Sequence, residues 1–282
     1  MDIRSVGVIG AGVMGGGIAQ LFAEKGLRVM LWDGNAEALA KGQEAIRERL
    51  RKSVEKGALT EARAGEIQAN LGTAGKLDDF ASADLLIEAI VENVDVKRGL
   101  LGQLEAAVRP EAIIGTNTSS LSVNALAAPL KHPGRFLGIH FFNPATKLEL
   151  VEVIPGTKTE PAVTEAVRQF LKACGKSPVT VKDSSGFIVN RLLLLMINEA
   201  ARMVDQGVAS AEDIDTAMRL GALHPAGPLA VADLIGLDTC EKILEILSRD
   251  LKASSYTPAE GITARVKAGR LGRKTGKGFF GK

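Results

Sequence analysis

The sequence is poor in the residue types that mark disulfide-rich, metal-binding and nucleic-acid-binding proteins. Its only two cysteines among 282 residues, Cys174 and Cys240, form neither a C-x-x-C pair nor a metal-ligand spacing. We therefore expect free thiols in a reducing cytoplasm, with no metal bound. The 35 lysines and arginines nearly balance the 33 acidic residues and leave a net charge of +2. This small excess gives no reason to expect a nucleic-acid partner.

Long apolar runs are absent as well. The apolar stretch at 192–196 is flanked by Asn190, Arg191 and Asn198, so it is too short to cross a bilayer. The chain enters its first predicted strand within a few residues of Met1, which leaves no room for a signal or transit peptide. We expect a soluble, cytoplasmic protein without membrane contact. Its length and its 46% of hydrophobic residues suit one large domain or two smaller ones.

A glycine-rich stretch at 6–20 organises the beginning of the chain. It is typical of an apolar strand, a turn and a helix, with Gly10, Gly12 and Gly15 in the order G-x-G-x-x-G. The first glycine permits a tight turn, the second lets the backbone approach a pyrophosphate, and the third lets the helix lie close to the strand. The helix N-terminus then faces the phosphates. Glycines also end strands for purely structural reasons, so the motif alone is not specific.

Asp33 makes a dinucleotide the favoured interpretation. It follows a predicted strand at 28–32 and lies eighteen residues beyond Gly15. A carboxylate near this spacing accepts a hydrogen bond from the adenosine ribose and repels a 2′-phosphate, so NAD is favoured over NADP. The alternative is an ordinary turn at Asp33-Gly34-Asn35.

The remaining pattern predicts an α/β fold, a Rossmann-like, doubly wound and mainly parallel sheet, followed by an all-α carboxyl-terminal domain. We expect the NAD-binding domain over residues 1–184 and a helical substrate and dimerisation domain over 185–282. No convincing strand follows Phe187. Further strands are predicted at 71–73, 83–92, 112–115, 136–139, 150–154 and 178–181. Helices are predicted at 18–25, 36–56, 94–108, 161–174, 188–204 and 237–251, with others after Thr60 and Ser210. The apolar helix at 188–204 needs cover, from a second copy of the chain or from its own domain.

Ligands of such sheets bind beyond the carboxyl ends of the strands. His140 is expected at one of these ends. A histidine there is usually structural, but Glu152 on the next strand and Ser119 on a neighbouring loop favour a general base. His132 and His224 each precede proline and suit loop positions. The other strand-end residues are Gly10–Gly15, Asp33, Glu92, Asn117–Ser120 and Phe141–Asn143.

Seven motifs in order resemble the 3-hydroxyacyl-CoA dehydrogenase family, in particular its short, single-function bacterial members. The resemblance covers essentially the whole chain. The motifs are Gly10-Ala-Gly-Val-Met-Gly15, Asn117-Thr-Ser-Ser-Leu121, His140-Phe-Phe-Asn-Pro144, Leu150-Val-Glu-Val-Ile154, Asp183-Ser-Ser-Gly-Phe-Ile-Val-Asn-Arg191, Gly227-Pro-Leu229 and Gly276-Lys-Gly-Phe279.

The resemblance implies an NAD-dependent homodimer acting on an acyl-CoA substrate, the pair 3-hydroxybutyryl-CoA and acetoacetyl-CoA. It implies that His140 takes the 3-hydroxyl proton while C3 passes hydride to NAD, with Glu152 orienting the imidazole. Ser119 and Asn190 would bind the reacting oxygens, with Asn143 beside them. The residues implied in cofactor binding are Gly10, Gly12, Val13, Met14, Gly15, Asp33, Glu92, Lys97, Asn117, Ser119, Asn143 and Lys277.

The spacing of Lys52 and Lys56 and the family resemblance predict different roles for these two lysines. They are four residues apart and share one helix face, and this spacing alone favours a solvated surface. The resemblance implies contacts to coenzyme A, whose phosphates suit paired cations. A dehydrogenase of a small free hydroxy acid, the rival enzyme hypothesis, has no use for them. A non-catalytic NAD-binding or structural protein is the rival from another class. Gly16 and Gly17 lengthen the glycine run, and we expect them to affect stability more than specificity.

Overall fold

The computed structural model describes residues 3–281. Met1 and Asp2, on which the prediction about a signal peptide partly rests, lie outside the described residues. The chain divides into two compact units, Met1–Asp183 and Ser184–Lys282. The division falls one residue before the predicted boundary.

The first unit is built on an eight-stranded sheet. Its order is β3-β2-β1-β4-β5-β6-β7-β8, and all neighbours are parallel except the antiparallel pair β6 and β7. The predicted doubly wound, mainly parallel sheet is confirmed. The strands are β1 (Ser5–Ile9), β2 (Arg28–Trp32), β3 (Leu71–Thr73), β4 (Leu85–Glu88), β5 (Ile113–Thr116), β6 (Phe136–Phe141), β7 (Leu150–Pro155) and β8 (Ser177–Thr180).

Six α-helices accompany this sheet within residues 3–183. The starts of α2 and α4 are set by asparagine caps, since Asn35 and Asn93 each accept two backbone N–H groups of the first turn. The helices are α1 (Val13–Glu24), α2 (Ala36–Glu55), α3 (Glu61–Ala69), α4 (Val94–Ala107), α5 (Val123–Ala127) and α6 (Pro161–Ala173).

An aromatic contact fixes α1 relative to the strand that carries His140. The ring of Phe22 on α1 is fully buried, with its centroid 6.0 Å from that of Phe141 and 5.2 Å from that of Phe170. Buried aromatic rings contribute both apolar area and a preferred geometry. The helix that follows the glycine turn is therefore packed directly against the end of β6.

Two predicted boundaries differ from the structure by more than about three residues, while the others agree to within about two. The predicted strand at 83–92 ends at Glu88, because the Glu88 carboxylate accepts the N–H of Ile90 at 2.7 Å and turns the chain out of the ladder. Glu92 consequently lies in a loop. The first helix begins at Val13 rather than Ile18, so the glycine run at 15–17 is helical despite the low helix propensity of glycine.

The second unit is helical. Its described residues contain isolated β-bridges at the carboxyl-terminal tail but no strand. The predicted all-α character is confirmed. Its core is apolar, and the buried carboxylate of Asp215 accepts the N–H groups of Leu229 and Ala230. No helix among residues 3–281 is long and apolar enough to cross a membrane. The helices are α7 (Val189–Asp205), α8 (Ala211–Gly221), α9 (Pro228–Ile235), α10 (Leu237–Leu251) and α11 (Glu260–Lys267).

Candidate active site

The three glycines of the motif meet different surroundings. A Cβ atom on Gly10, whose φ is +105°, would lie 2.5 Å from the Ala89 carbonyl oxygen, and one on Gly15 would lie 1.8 Å from the Gly10 carbonyl oxygen. The fold therefore requires glycine at both positions. A Cβ on Gly12 would meet nothing within 4 Å. Since packing does not require glycine there, the open space beside the α1 N-terminus fits a group that approaches the backbone closely, as a pyrophosphate does.

A cavity of about 420 Å³ adjoins this turn. Gly10, Gly12 and Asp33 line one side, and the largely exposed side chains of Val91 and Val96 belong to the lining as well. It lies beyond the carboxyl ends of β1 and β4, where the strand order reverses, which is the usual ligand site of such sheets. The combination of backbone N–H groups, a carboxylate and apolar side chains fits the adenosine and phosphate groups of a dinucleotide.

Asp33 is part of the same turn. Its Oδ2 accepts the N–H of Ala11 at 2.8 Å and its Oδ1 accepts the N–H of Asn35 at 2.9 Å. The carboxylate thus holds the glycine turn against the end of β2. It remains half-buried at the cavity wall and places a negative charge there.

His140 and Glu152 form a buried pair. They stand directly opposite one another in the antiparallel register of β6 and β7, so both side chains lie on one face of the sheet. Nδ1 of His140 lies 2.7 Å from Oε2 of Glu152, and the Phe142 ring centroid lies 4.5 Å from that of the imidazole. A carboxylate can only accept, so Nδ1 donates and the lone pair of the neutral ring is on Nε2. This arrangement suits a general base.

The loop that carries Ser119 is tied down on both sides. Asn117 Oδ1 accepts the N–H of Phe141, the residue after His140, at 2.8 Å. Oε1 of Glu92 accepts the N–H groups of Ser119 and Ser120 at 2.9 and 3.0 Å. The loop is therefore joined to the end of β6 and to the loop after β4.

The electrostatics of Glu92 depend on a buried lysine. Burial by itself raises the pKa of Glu92, but the nearby ammonium of Lys97 and hydrogen bonds from Thr118, Ser119 and Ser120 outweigh it. The net pKa lies below the ordinary value, so the carboxylate is ionised at neutral pH.

Sequence reasoning missed Glu88. Its carboxylate, which is fully buried, lies 2.5 Å from Lys97 Nζ and accepts the Thr116 hydroxyl at 2.7 Å. The available signal was an acidic residue inside an otherwise apolar run, since buried carboxylates are almost always paired. Lys97 itself, implied as a cofactor ligand, is only 1% exposed.

The remaining implied residues occupy separate places. Asn143 is exposed in the loop after β6. Lys52 is exposed on α2 with its ammonium 3.2 Å from Glu48 Oε1, and Lys56 caps the end of that helix. Asn190 in the first turn of α7 and exposed Lys277 in the carboxyl-terminal tail belong to the second unit.

The first unit combines a doubly wound sheet, a dinucleotide-type glycine turn and a histidine–carboxylate pair near a strand end, and a helical unit follows it. This combination is typical of a class of NAD-dependent dehydrogenases. Residues 5–184 match the family model described as 3-hydroxyacyl-CoA dehydrogenase, NAD binding domain, and residues 186–282 match that of the C-terminal domain of the same family. The chain belongs to the 3-hydroxyacyl-CoA dehydrogenase family. The predicted enzyme class and NAD cofactor are confirmed.

Full-length relatives are similar. A 3-hydroxybutyryl-CoA dehydrogenase of Bradyrhizobium diazoefficiens is 46% identical, with 99% of this chain and 95% of the relative covered. The mitochondrial hydroxyacyl-coenzyme A dehydrogenase of Homo sapiens is 41% identical over 99% of this chain and 91% of that protein. A crystal structure of (S)-3-hydroxybutyryl-CoA dehydrogenase from Ralstonia eutropha superposes with a TM-score of 0.94 at 44% identity, covering 99% of both chains.

Proposed function

We propose that this dehydrogenase oxidises (S)-3-hydroxybutyryl-CoA to acetoacetyl-CoA with NAD and catalyses the reverse reduction. The observation that carries the proposal is the buried His140–Glu152 pair, 2.7 Å apart at the strand end that also holds the Ser119 loop through Asn117. The full-length similarity to enzymes named for this substrate supports the choice of acyl group.

His140 is the proposed catalytic base. Its Nε2 takes the proton of the 3-hydroxyl group as the C3–O bond becomes a carbonyl and the C3 hydrogen leaves with its electron pair. NAD, when bound, supplies the acceptor for that hydride. Glu152, already accepting from Nδ1, stabilises the imidazolium that forms and keeps the lone pair of the neutral ring on Nε2. In the reductive direction the same imidazolium returns the proton to the 3-keto oxygen.

The remaining site residues are proposed to bind and orient. Ser119 and Asn190 donate hydrogen bonds to the reacting oxygens, with Asn143 beside them, and Asp33 rejects the 2′-phosphate of NADP. Lys52 and Lys56 contact the phosphates of coenzyme A. Glu92 and Lys277 are proposed as further cofactor contacts.

We also propose a cytoplasmic homodimer formed through the helical unit. Several large apolar side chains of that unit are exposed in the single chain, and such surface is commonly covered by a partner. They are Leu192 (65%), Leu220 (74%), Leu223 (86%) and Leu234 (63%).

The decisive experiment is a His140→Gln variant assayed with acetoacetyl-CoA and NADH. Loss of the base should lower kcat by roughly two to four powers of ten. His132→Gln, a change at an exposed histidine outside the proposed site, is the matched control and should keep wild-type kcat. Near-normal turnover by the His140 variant would refute the assignment. Higher kcat/KM for free acetoacetate than for acetoacetyl-CoA would instead favour a free hydroxy acid as substrate.

A further inference from the structure

A buried chain of charges connects the centre of the sheet to the Ser119 loop. Lys97 on α4 lies between two carboxylates, with its Nζ 2.5 Å from Oε1 of Glu88 and 3.4 Å from Oε2 of Glu92. The side chains of Glu88 and Lys97 are 0% and 1% exposed, and that of Glu92 is 33% exposed. Two charges buried this completely persist only with good partners, because desolvation of each is costly.

The donors of Lys97 are used within the protein. An ammonium group has three N–H donors. Three oxygens lie within 3.4 Å of Nζ, namely Oε1 of Glu88, the carbonyl of Ile90 and Oε2 of Glu92. The contacts with Glu88 and Ile90 are hydrogen bonds, and the contact with Glu92 is an ion pair. Because the side chain also has almost no exposed surface, Lys97 is poorly placed to bind a cofactor directly.

Glu92, at the outer end of this chain of charges, holds the loop that carries Ser119. Oε1 of Glu92 accepts the hydroxyl of Thr118 at 2.5 Å and the N–H groups of Ser119 and Ser120. Glu92 is thus the common acceptor for three consecutive residues. The other carboxylate oxygen of Glu92, Oε2, lies 3.4 Å from the ammonium of Lys97, and that ammonium is also bonded to Glu88.

We propose that Glu88 and Lys97 are positioning residues that act through Glu92 to hold Ser119 where it binds the substrate. This inference rests on the proposed function of Ser119 as a substrate-binding residue. The family resemblance implies that Lys97 contacts the cofactor directly, whereas this proposal has Lys97 act through Glu92. It also gives Glu88 a role, which is to hold Lys97 in place.

The first test needs neither cofactor nor substrate. Amide hydrogen exchange at Ser119 and Ser120 is measured in the cofactor-free protein and in Lys97→Met, which keeps the length of the side chain but not its charge. Exchange should become at least about tenfold faster, because charge-assisted hydrogen bonds to Glu92 weaken. The control is Arg98→Met, which removes a neighbouring cation of α4 that donates to the Ala125 carbonyl, and exchange should not change. Unchanged exchange in Lys97→Met would overturn the proposal.

A kinetic cycle separates indirect from direct action. Lys97→Met, Glu92→Gln and the double variant are compared for kcat and for the KM of NADH. If Lys97 acts through Glu92, the double variant loses no more activity than the worse single variant. If Lys97 binds the cofactor itself, the two losses in kcat/KM multiply, and the proposal is wrong. Wild-type turnover of acetoacetyl-CoA tests the proposed function separately.

Stability is controlled with a second variant pair. Lys97→Met leaves Glu88 as an uncompensated buried charge and should lower Tm by about 10 °C. Glu88→Gln combined with Lys97→Met removes both charges and should recover most of that loss. The kinetic and exchange defects should nevertheless persist, because Glu92 still lacks its cation. Recovery of wild-type kcat and exchange in this double variant would mean that the pair only stabilises the fold.

Discussion

Replacing Gly12 by alanine should weaken cofactor binding without affecting the fold. Gly12 precedes α1 with φ −67° and ψ −169°, an extended conformation open to any residue, and its added methyl group would meet nothing within 4 Å. Alanine in place of glycine at this capping position costs roughly 0.5–1 kcal/mol. The Tm of the cofactor-free protein should therefore fall by no more than about 3–4 °C.

The effect on binding follows from the hydrogen bonds that the methyl group prevents. A backbone N–H bonded to a charged phosphate contributes about 1.5–3 kcal/mol. Losing one such bond raises the Kd of NADH by roughly 10- to 100-fold. Fluorescence titration of NADH measures this change, and thermal unfolding of the same samples measures stability.

Two neighbouring glycines provide controls. In Gly16→Ala the new Cβ would lie 3.6 Å from Nη2 of Arg49, an ordinary contact, so helix propensity should add up to about 1 kcal/mol of stability with Kd unchanged. In Gly15→Ala it would lie 1.8 Å from the Gly10 carbonyl, and the protein should be severely destabilised. Wild-type NADH affinity in Gly12→Ala, or unfolding of that variant, would refute the reasoning.

Three further predictions concern single groups. Asp33→Asn keeps an acceptor for the Ala11 N–H but loses the second acceptor, which Asn35 uses, together with the charge, so the kcat/KM ratio of NADPH to NADH should rise by about tenfold; an unchanged ratio would remove Asp33 from cofactor selection. Lys52→Ala with Lys56→Ala should raise the KM of acetoacetyl-CoA with little effect on kcat, whereas Arg51→Ala, which removes a cation paired with Glu48 and Glu55, should not; a fall in kcat alone would contradict a binding role. Burial raises the pKa of Cys174 to about 11 and that of Cys240 to about 12, so both thiols should resist a thiol reagent at pH 8 until the protein unfolds, and rapid labelling of the native protein would contradict this.

Local patterns predicted the fold class well. Apolar runs separated by glycine, asparagine and proline signals placed every strand of the first unit to within a few residues, apart from the end of β4. That end is decided by a side chain: Glu88 accepts the Ile90 N–H, and it is held by Thr116 and Lys97 from other elements. The bond to Ile90 is local, but the contacts that hold the Glu88 side chain in place come from α4 and β5, so no local pattern contains them.

In the candidate site, too, some features could be predicted from the sequence and others depend on tertiary contacts. The strand-end positions of Asp33 and His140 follow from the order of motifs, but the partner of each depends on tertiary structure. Glu152 meets His140 only because β6 and β7 are antiparallel and in one particular register. Asp33 holds the glycine turn through Ala11, a contact that spacing could not reveal.

The antiparallel pairing of β6 and β7 also has a consequence for folding. His140 and Glu152 are twelve residues apart in sequence and are joined by a single hairpin connection at 142–149. Closing so short a loop costs little chain entropy, and local contacts of this kind form quickly compared with the parallel crossovers elsewhere in the sheet. The proposed proton-transfer pair is therefore contained in one supersecondary unit, and the rest of the sheet stabilises a register in which His140 and Glu152 already face one another.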